Sequence, residues 1–231
     1  MDNVMRKFNK STWFIIPVLF FTIISFILCV RLKGFPNSCT VNLPEGFADI
    51  GTVIPDAIIS IKYSTDDNFT GEVLNGYENN CGWGLEEMVM ALKKVHEEMK
   101  KHGYRLMIYD SYRPMRSEQH MIRWAKSRGK HGLLGVYIPG SVNYNSRYGH
   151  TSGNAVDLTI SSPGGRPVDM GSIFDDFSSA SHTARASGTA RKNRLLLKKI
   201  MERHGFKNYE NEWWHYQYLG RGDRALDVPV K

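Results

Sequence analysis

Two short strings in the sequence combine residue types that can bind a metal ion and activate water. The first runs from His150 to Asp157 and places a histidine before a glycine-containing turn and an aspartate inside an apolar stretch. The second, Glu212-Trp-Trp-His215, holds a carboxylate and an imidazole in a strongly aromatic segment. An ionised carboxylate in an apolar strand is costly to bury unless it is paired or binds a cation. Both strings are therefore candidates for a metal site.

The donor types match a catalytic zinc site in particular. His150, Asp157 and His215 are three ligands of the kinds that zinc prefers, which leaves a fourth position for water. Glu212 remains as a second carboxylate, as a hydrolase needs for its general base. Spacing alone leaves the question open, because core histidines and simple ion pairs explain the same residues. On a regular strand Glu212 and His215 would also point to opposite faces, so a bend must separate them.

The hydrophobic pattern supplies the elements that hold these residues. Helical spacing predicts a helix from Leu85 to His102, a second that begins at Pro114, and a basic third from Arg191 to His204. Residues 161–190 are rich in Ser, Gly and Ala, and we expect them to be mobile. Strands are predicted at residues 58–63, 104–109, 155–160 and 213–218. Since strands and helices interleave irregularly, we predict a single α+β domain with a mainly antiparallel sheet and packed helices.

The N-terminal region has the composition of a membrane segment. The 20 residues from Ser11 to Val30 carry no formal charge, and as a helix they would span about 30 Å, the hydrocarbon thickness. We favour an uncleaved anchor helix over a cleaved signal peptide, because the run is long and no small-residue cleavage site follows. A buried core helix is the remaining alternative. The expected organisation is an anchor or signal segment at 1–33, a linker at 34–48 and the folded domain at 49–231.

The charge distribution argues against a nucleic-acid partner. The chain has 30 Lys plus Arg against 23 Asp plus Glu, a formal net charge of +7. Residues 1–33 hold five basic residues against one acidic residue, whereas a nucleic-acid-binding protein keeps its basic excess on the folded body. We therefore predict the membrane, and no nucleic acid, as a partner, with the folded domain outside the cytoplasm. No protein partner is indicated.

The cysteines allow at most one disulfide in the exported part. Cys29 lies in the hydrophobic segment, which leaves Cys39 and Cys81. These two can pair in an oxidising compartment, but we favour the interpretation of Cys81 as a buried, reduced residue. A thiolate zinc site is excluded, since the sequence has no Cys-x-x-Cys pair.

Further motifs, together with the two strings, are shared with a known enzyme family. They are, in chain order, Tyr63, Asp67-Asn68-Phe69-Thr70-Gly71, Asp110-Ser111-Tyr112-Arg113-Pro114, Met170-Gly171-Ser172, Phe174-Asp175, Ser181-His182 and Asp227-Val228-Pro229-Val230-Lys231. With His150-x-x-Gly153-x-Ala155-x-Asp157 and Glu212-x-x-His215 they span about residues 50–231. The sequence resembles the zinc D-alanyl-D-alanine dipeptidases, the VanX type within the D,D-peptidase family. This resemblance implies a D,D-peptidase or hedgehog-like fold for residues 49–231.

The resemblance also implies a role for each matching residue. The ligands of one Zn²⁺ per chain would be His150, Asp157 and His215. Glu212 would be the catalytic base, and Arg113 would stabilise the developing oxyanion, a task suited to a permanently charged guanidinium. Asp175 matches the carboxylate that receives the substrate's ammonium group, and Tyr63 matches the pocket wall. One position departs from the family pattern, since Tyr148 stands where a serine usually precedes the first histidine by two residues. We expect that departure to alter the substrate pocket and to leave the ligands unchanged.

The function implied by the resemblance is zinc-dependent hydrolysis of D-alanyl-D-alanine or a similar D,D-dipeptide in cell-wall peptide metabolism. Two alternatives stay open. A D,D-carboxypeptidase acting on peptidoglycan stem peptides is favoured by export and disfavoured by Asp175, which suits a free amino end. A membrane-anchored module that binds zinc without catalysis would need neither Glu212 nor Arg113.

Overall fold

The computed structural model describes residues 38–220 and 222–231. Within this part of the chain there are seven strands and four α-helices. The strands are β1 (Phe47–Asp49), β2 (Ile58–Ile59), β3 (Trp83–Leu85), β4 (Arg105–Asp110), β5 (Ala155–Ser161), β6 (Phe206–Asn208) and β7 (His215–Tyr218). The helices are α1 (Ile50–Val53), α2 (Glu86–Lys101), α3 (Met115–Ser127) and α4 (Gly188–Arg203).

A five-stranded sheet in the order β2-β4-β5-β7-β6 forms the centre of the fold. Only the β2–β4 pair is parallel, and the other three pairs are antiparallel. A separate antiparallel ribbon joins β1 to β3. The predicted α+β fold with a mainly antiparallel sheet is confirmed. The predicted helices correspond to α2, α3 and α4, whereas β1, β3, β6 and α1 are too short to show a hydrophobic period.

Strand β5 shows how the sheet divides the molecule into a core side and a site side. All of its residues are buried, although apolar and polar types alternate along it. The apolar members Val156, Leu158 and Ile160 belong to the same core as residues of α2 and α4. On the opposite face Asp157 and Thr159 line cavities. Helices α2 and α4 therefore support one face of the sheet, and the chemistry occupies the other.

The predicted strand at 58–63 is wrong beyond its first residues, because only Ile58 and Ile59 pair with β4. The side chain of Asn80 takes over the hydrogen bonds of the next residues. Its Oδ1 accepts from the Ile61 backbone N–H at 2.7 Å, and its Nδ2 donates to the Ile59 carbonyl at 2.9 Å. The chain then enters a 3₁₀ turn at Lys62–Ser64, which turns Tyr63 inward.

The segment at 161–190, which we expected to be mobile, is held by hydrogen bonds from α4 where it borders the site. Arg194 of α4 is only 1% exposed, and its guanidinium binds backbone carbonyls across this segment. It donates to Met170 O at 2.6 Å, to His182 O at 2.8 Å and to Ala180 O at 2.9 Å. A basic helix therefore places one of its arginines inside the fold, where it holds the loop that carries Asp175.

Residues 38–48, which were expected to be linker, lie within the folded body. Cys39 forms a disulfide with Cys81, with a Cα–Cα distance of 5.4 Å, and its carbonyl accepts a hydrogen bond from Trp83 Nε1 at 2.7 Å. The favoured interpretation of Cys81 as a reduced residue is therefore wrong. The described fold begins at Ser38 and not near residue 49.

The predicted membrane segment, within residues 1–33, lies outside the described residues. Among the residues that are described, no helix combines the length and the hydropathy needed to cross a membrane.

Candidate active site

Three neighbouring strands bring acidic and imidazole side chains into one row. In the sheet register Asp110 of β4 lies opposite Asp157 of β5, and Asp157 lies opposite His215 of β7. Directly opposed residues of antiparallel strands project from the same face. An irregularity in β4 between Ile108 and Asp110 shifts the register there, which is what places Asp110 on the site face.

His150 reaches the row from a 3₁₀ turn, His150–Ser152, immediately before β5. The turn ends at Gly153, whose φ of +73° is a left-handed conformation. A side chain at this position would also collide with the Phe47 ring of β1. The glycine in the His-x-x-Gly motif is therefore required both by backbone conformation and by packing.

The donor atoms of His150, Asp157 and His215 converge, and all lie within 4.8 Å of one another. His150 Nε2 is 3.1 Å from His215 Nδ1 and 3.3 Å from Asp157 Oδ2, and His215 Nδ1 is 2.9 Å from Asp157 Oδ1. A tetrahedral zinc ion with bonds of about 2.0–2.1 Å holds its ligand atoms roughly 3.3 Å apart. The spacing and the donor types therefore both fit such an ion.

The tautomer of His150 is fixed by a backbone carbonyl. His150 Nδ1 lies 2.6 Å from the Ser111 carbonyl oxygen, which can only accept, so the proton is on Nδ1. The Nε2 lone pair therefore points toward Asp157 and His215. This arrangement, a ligand histidine that donates its other N–H to a carbonyl, is typical of metal sites.

The bend that the sequence required between Glu212 and His215 is a hydrogen-bonded turn. The His215 N–H donates to the Glu212 carbonyl at 3.2 Å, and β7 begins only at His215, later than the predicted residue 213. Asn208 of β6 donates its Nδ2 to the carbonyls of both residues, at 3.0 Å each. Glu212 and His215 can therefore face the same cavity.

Glu212 is placed beside the donor group without being part of it. Its Oε2 lies 3.9 Å from His215 Nδ1, and the residue is 8% exposed. Burial, followed by repulsion from the Asp157 carboxylate, raises the pKa of Glu212 to about 8. The positive charge of a metal ion on the three ligands would oppose that rise. A carboxyl group with a raised pKa beside a metal site suits proton transfer near neutral pH.

Arg113 lies between the two buried aspartates of the row. Its guanidinium donates to Asp110 Oδ2 at 2.9 Å and lies 3.5 Å from Asp157 Oδ2. The same group stacks over the ring of Tyr63, with 5.1 Å between the guanidinium carbon and the ring centroid. Arg113 therefore both orients the acidic row and presents a permanent positive charge to the cavity.

Asp175 lines the same cavity as Arg113 and is half-buried. The Tyr63 hydroxyl lies 3.2 Å from both of its carboxylate oxygens and donates to them. Burial, then repulsion from Asp157 and Glu212, raises the pKa of Asp175 well above its ordinary range. Such a carboxyl group is stabilised by a cationic ligand. Tyr63, expected only as pocket wall, also positions Asp175.

These side chains enclose a cavity of about 500 Å³. The segment from Gly135 to Gly149 forms a large part of its wall, and Tyr148, 53% exposed, contributes to it. Ser146 also lines the cavity, but its hydroxyl donates to the Tyr148 carbonyl at 2.6 Å. The Ser146 hydroxyl proton is therefore already engaged by the backbone.

Sequence reasoning missed several groups that complete the site. Asp110 belongs to a recognised motif but received no role, and its partner Tyr77, whose hydroxyl donates to it at 2.6 Å, lies 33 residues away. Glu118, on α3, lines the cavity and was not considered. The aspartate in the Asp-x-Tyr-Arg motif was a usable signal for Asp110, whereas Tyr77 and Glu118 have no local motif.

Residues 44–230 match the sequence profile of peptidase family M15, D-Ala-D-Ala dipeptidase. The chain belongs to this family. The sequence-based prediction of a metallopeptidase of the D-Ala-D-Ala dipeptidase type is thereby confirmed.

Individual dipeptidases show the same extent of similarity. The chain is 36% identical over 200 residues to a D-alanyl-D-alanine dipeptidase of Enterococcus faecium, covering 80% of this chain and 98% of the relative. It is 34% identical over 188 residues to the enzyme of that name from Enterococcus faecalis, covering 77% and 93%. An Escherichia coli dipeptidase is 31% identical over 171 residues, covering 73% and 82%. The similarity therefore extends over most of the described fold.

Proposed function

We propose that this protein is a zinc-dependent dipeptidase that hydrolyses D-alanyl-D-alanine or a similar D,D-dipeptide in cell-wall peptide metabolism. The observation that carries the proposal is the convergence of His150, Asp157 and His215, with the non-ligand carboxylate of Glu212 beside them. Family membership supplies the substrate class.

Each remaining group has a place in this reaction. His150, Asp157 and His215 would hold a zinc ion, which would supply Lewis-acid activation of the scissile carbonyl. Glu212 accepts the proton of the attacking water and returns it to the leaving amine. Arg113 donates hydrogen bonds to the oxygen that becomes negatively charged in the tetrahedral intermediate. Asp175 pairs with the free ammonium group and so sets the register of the dipeptide.

A metal assay combined with two substrates tests the proposal. We expect one zinc ion per chain, loss of D-alanyl-D-alanine hydrolysis after chelation, and recovery on addition of Zn²⁺. A pentapeptide ending in D-alanyl-D-alanine should be cleaved far more slowly. Cleavage of the pentapeptide alone would instead indicate a carboxypeptidase, and zinc binding without any hydrolysis would indicate a binding module.

Arg113→Lys should lower kcat more than it raises KM. Lysine keeps the charge that Asp110 needs, but it loses the guanidinium fork that can serve Asp110 and the developing oxyanion together. We expect kcat to fall by about 10²-fold or more, the scale found for a lost oxyanion donor. Steady-state kinetics on the free dipeptide measures both parameters.

Lysine is the informative substitution because Arg113→Ala would leave Asp110, which is 0% exposed, without its cationic partner. Unchanged zinc content would show that Asp157 still binds the metal. If the variant instead raised KM and left kcat unchanged, Arg113 would be a residue of ground-state binding.

We further propose that the domain works outside the cytoplasm and is attached to the membrane through residues 1–33. The support is the run of 20 uncharged residues from Ser11 to Val30 with basic flanks, together with the Cys39–Cys81 disulfide. Disulfides persist mainly in oxidising compartments.

Cell fractionation with protease protection tests this location. The full-length protein should sediment with membranes, and an externally added protease should digest residues 38–231 in intact spheroplasts. Recovery of the full-length protein in the cytoplasmic fraction would contradict both the anchor and the signal-peptide interpretations.

A further inference from the structure

One carboxylate that lines the cavity, that of Glu118, has no role in the proposed reaction. Glu118 lies in the first part of α3, is only 9% exposed and lines the same cavity as His150 and Arg113. Its side chain makes no hydrogen bond and no ion pair with any residue in the described part of the chain. Carboxylates are seldom buried in this way unless they are paired.

Three other acidic side chains of the site each have a hydrogen-bond donor, and Glu212 already has a role as the proposed base. Asp110 accepts from Tyr77 and Arg113, Asp157 contacts His215, and Asp175 accepts from Tyr63. Burial raises the pKa of the Glu118 carboxyl group, and only the more distant positive charges of Arg113 and His150 stabilise its ionised form. Its surroundings therefore favour a ligand that brings a hydrogen-bond donor or a positive charge.

Glu118 and Asp175 line the same cavity but have different surroundings. Arg113 and His150 are the positive charges nearest in effect to Glu118, whereas Asp175 is bound by the Tyr63 hydroxyl at 3.2 Å. Asp175 also borders a second cavity, which Lys62 and Phe174 line and to which Glu118 does not contribute. A dipeptide bound with its ammonium on Asp175 and its carbonyl at the metal ligands therefore extends its second residue toward Glu118.

We infer that Glu118 forms a subsite for the side chain of the second residue and favours D,D-dipeptides in which that side chain carries a hydrogen-bond donor, above all a protonated amine. Glu118 repels the terminal carboxylate of this second residue, because both groups are negatively charged. The side chain of the residue, and not its carboxylate, therefore faces Glu118. This inference rests on the proposed dipeptidase function, because that function sets the orientation of the substrate.

Matched dipeptides isolate the charge of the side chain from its size. D-Ala-D-ornithine and D-Ala-D-norleucine differ by an ammonium in place of a methyl group, and D-Ala-D-diaminobutyrate and D-Ala-D-norvaline form a shorter pair. In at least one pair the wild-type enzyme should prefer the amine by about tenfold or more in kcat/KM. Glu118→Gln should reduce that preference to about one, and Glu118→Asp should restore part of it in the pair of suitable length.

A matched control and a binding measurement keep the test decisive. Glu87→Gln removes an exposed carboxylate of α2 and should leave the preference unchanged. Calorimetric titration of the zinc-loaded Glu212→Gln protein with the same pairs reports binding without turnover. Absence of D-alanyl-D-alanine hydrolysis would refute the proposed function. The ratio of the dissociation constants of the two dipeptides in each pair, measured by calorimetry, would still show whether Glu118 binds the amine. No preference for the amine in either pair, or a preference that survives Glu118→Gln, would overturn the inference.

Discussion

Glu212→Gln is expected to keep the metal bound while lowering kcat for D-alanyl-D-alanine by about 10²- to 10⁴-fold, the usual contribution of a general base. Glutamine has nearly the same shape as glutamate but cannot take a proton from water. Glu212 does not belong to the group of converging ligands, since its carboxylate lies 3.9 Å from His215 Nδ1. Removing its charge therefore removes the base and leaves the ligands in place.

The measurement is kcat together with metal content by atomic absorption. Glu210→Gln is a matched control, because Glu210 is an exposed carboxylate two residues away that pairs with Lys198 at 2.8 Å. Asp157→Asn is the opposite control and should lose metal and activity together. Turnover close to that of the wild type in Glu212→Gln would refute the assignment of the base.

How much of this site the sequence can predict depends on how far apart along the chain the interacting residues lie. His150 and Asp157 lie on one turn and the strand that follows it, so their motif already contains the local geometry. The juxtaposition of Asp157 with His215 depends on the register of β5 against β7, which the residues alone did not give. The family resemblance supplied that long-range information. The turn that brings Glu212 to the same side depends on Asn208, whose role has no signature in the sequence.

Two differences between the expected and the observed fold have a common physical cause. In two regions, residues 59–61 and 170–182, a side chain far along the chain satisfies backbone groups that local pattern reasoning assigns to a strand or to solvent. Asn80 takes the hydrogen bonds of residues 59 and 61, and Arg194 binds three carbonyls of the segment from Met170 to His182. Composition detects neither contact, because a buried arginine in a basic helix looks like a solvated one.

A strong preference for the free dipeptide over N-acetyl-D-alanyl-D-alanine is the second large effect we expect. The free ammonium pairs with Asp175, whereas the acetylated substrate brings a neutral amide and leaves this carboxylate without its cation. Because Asp175 is half-buried, we expect a cost of about 2–3 kcal/mol, or roughly 30- to 150-fold in kcat/KM. The ratio of kcat/KM for the two substrates, measured on the zinc-loaded enzyme, is the test.

Asp175→Asn separates the charge of this residue from its conformation. Asp175 has a φ of +59°, a left-handed conformation that asparagine adopts more readily than alanine. The side-chain amide oxygen of the asparagine can still accept a hydrogen bond from Tyr63. We expect the variant to reduce the preference to a few-fold, mainly by slowing hydrolysis of the free dipeptide, with zinc content unchanged.

Asp175 also borders the second cavity, of about 700 Å³, which offers volume for a longer peptide beyond the amino end. If the wild-type enzyme cleaves the free and acetylated substrates at comparable rates, Asp175 does not exclude longer chains, and the second cavity would then accept a stem peptide as in a carboxypeptidase.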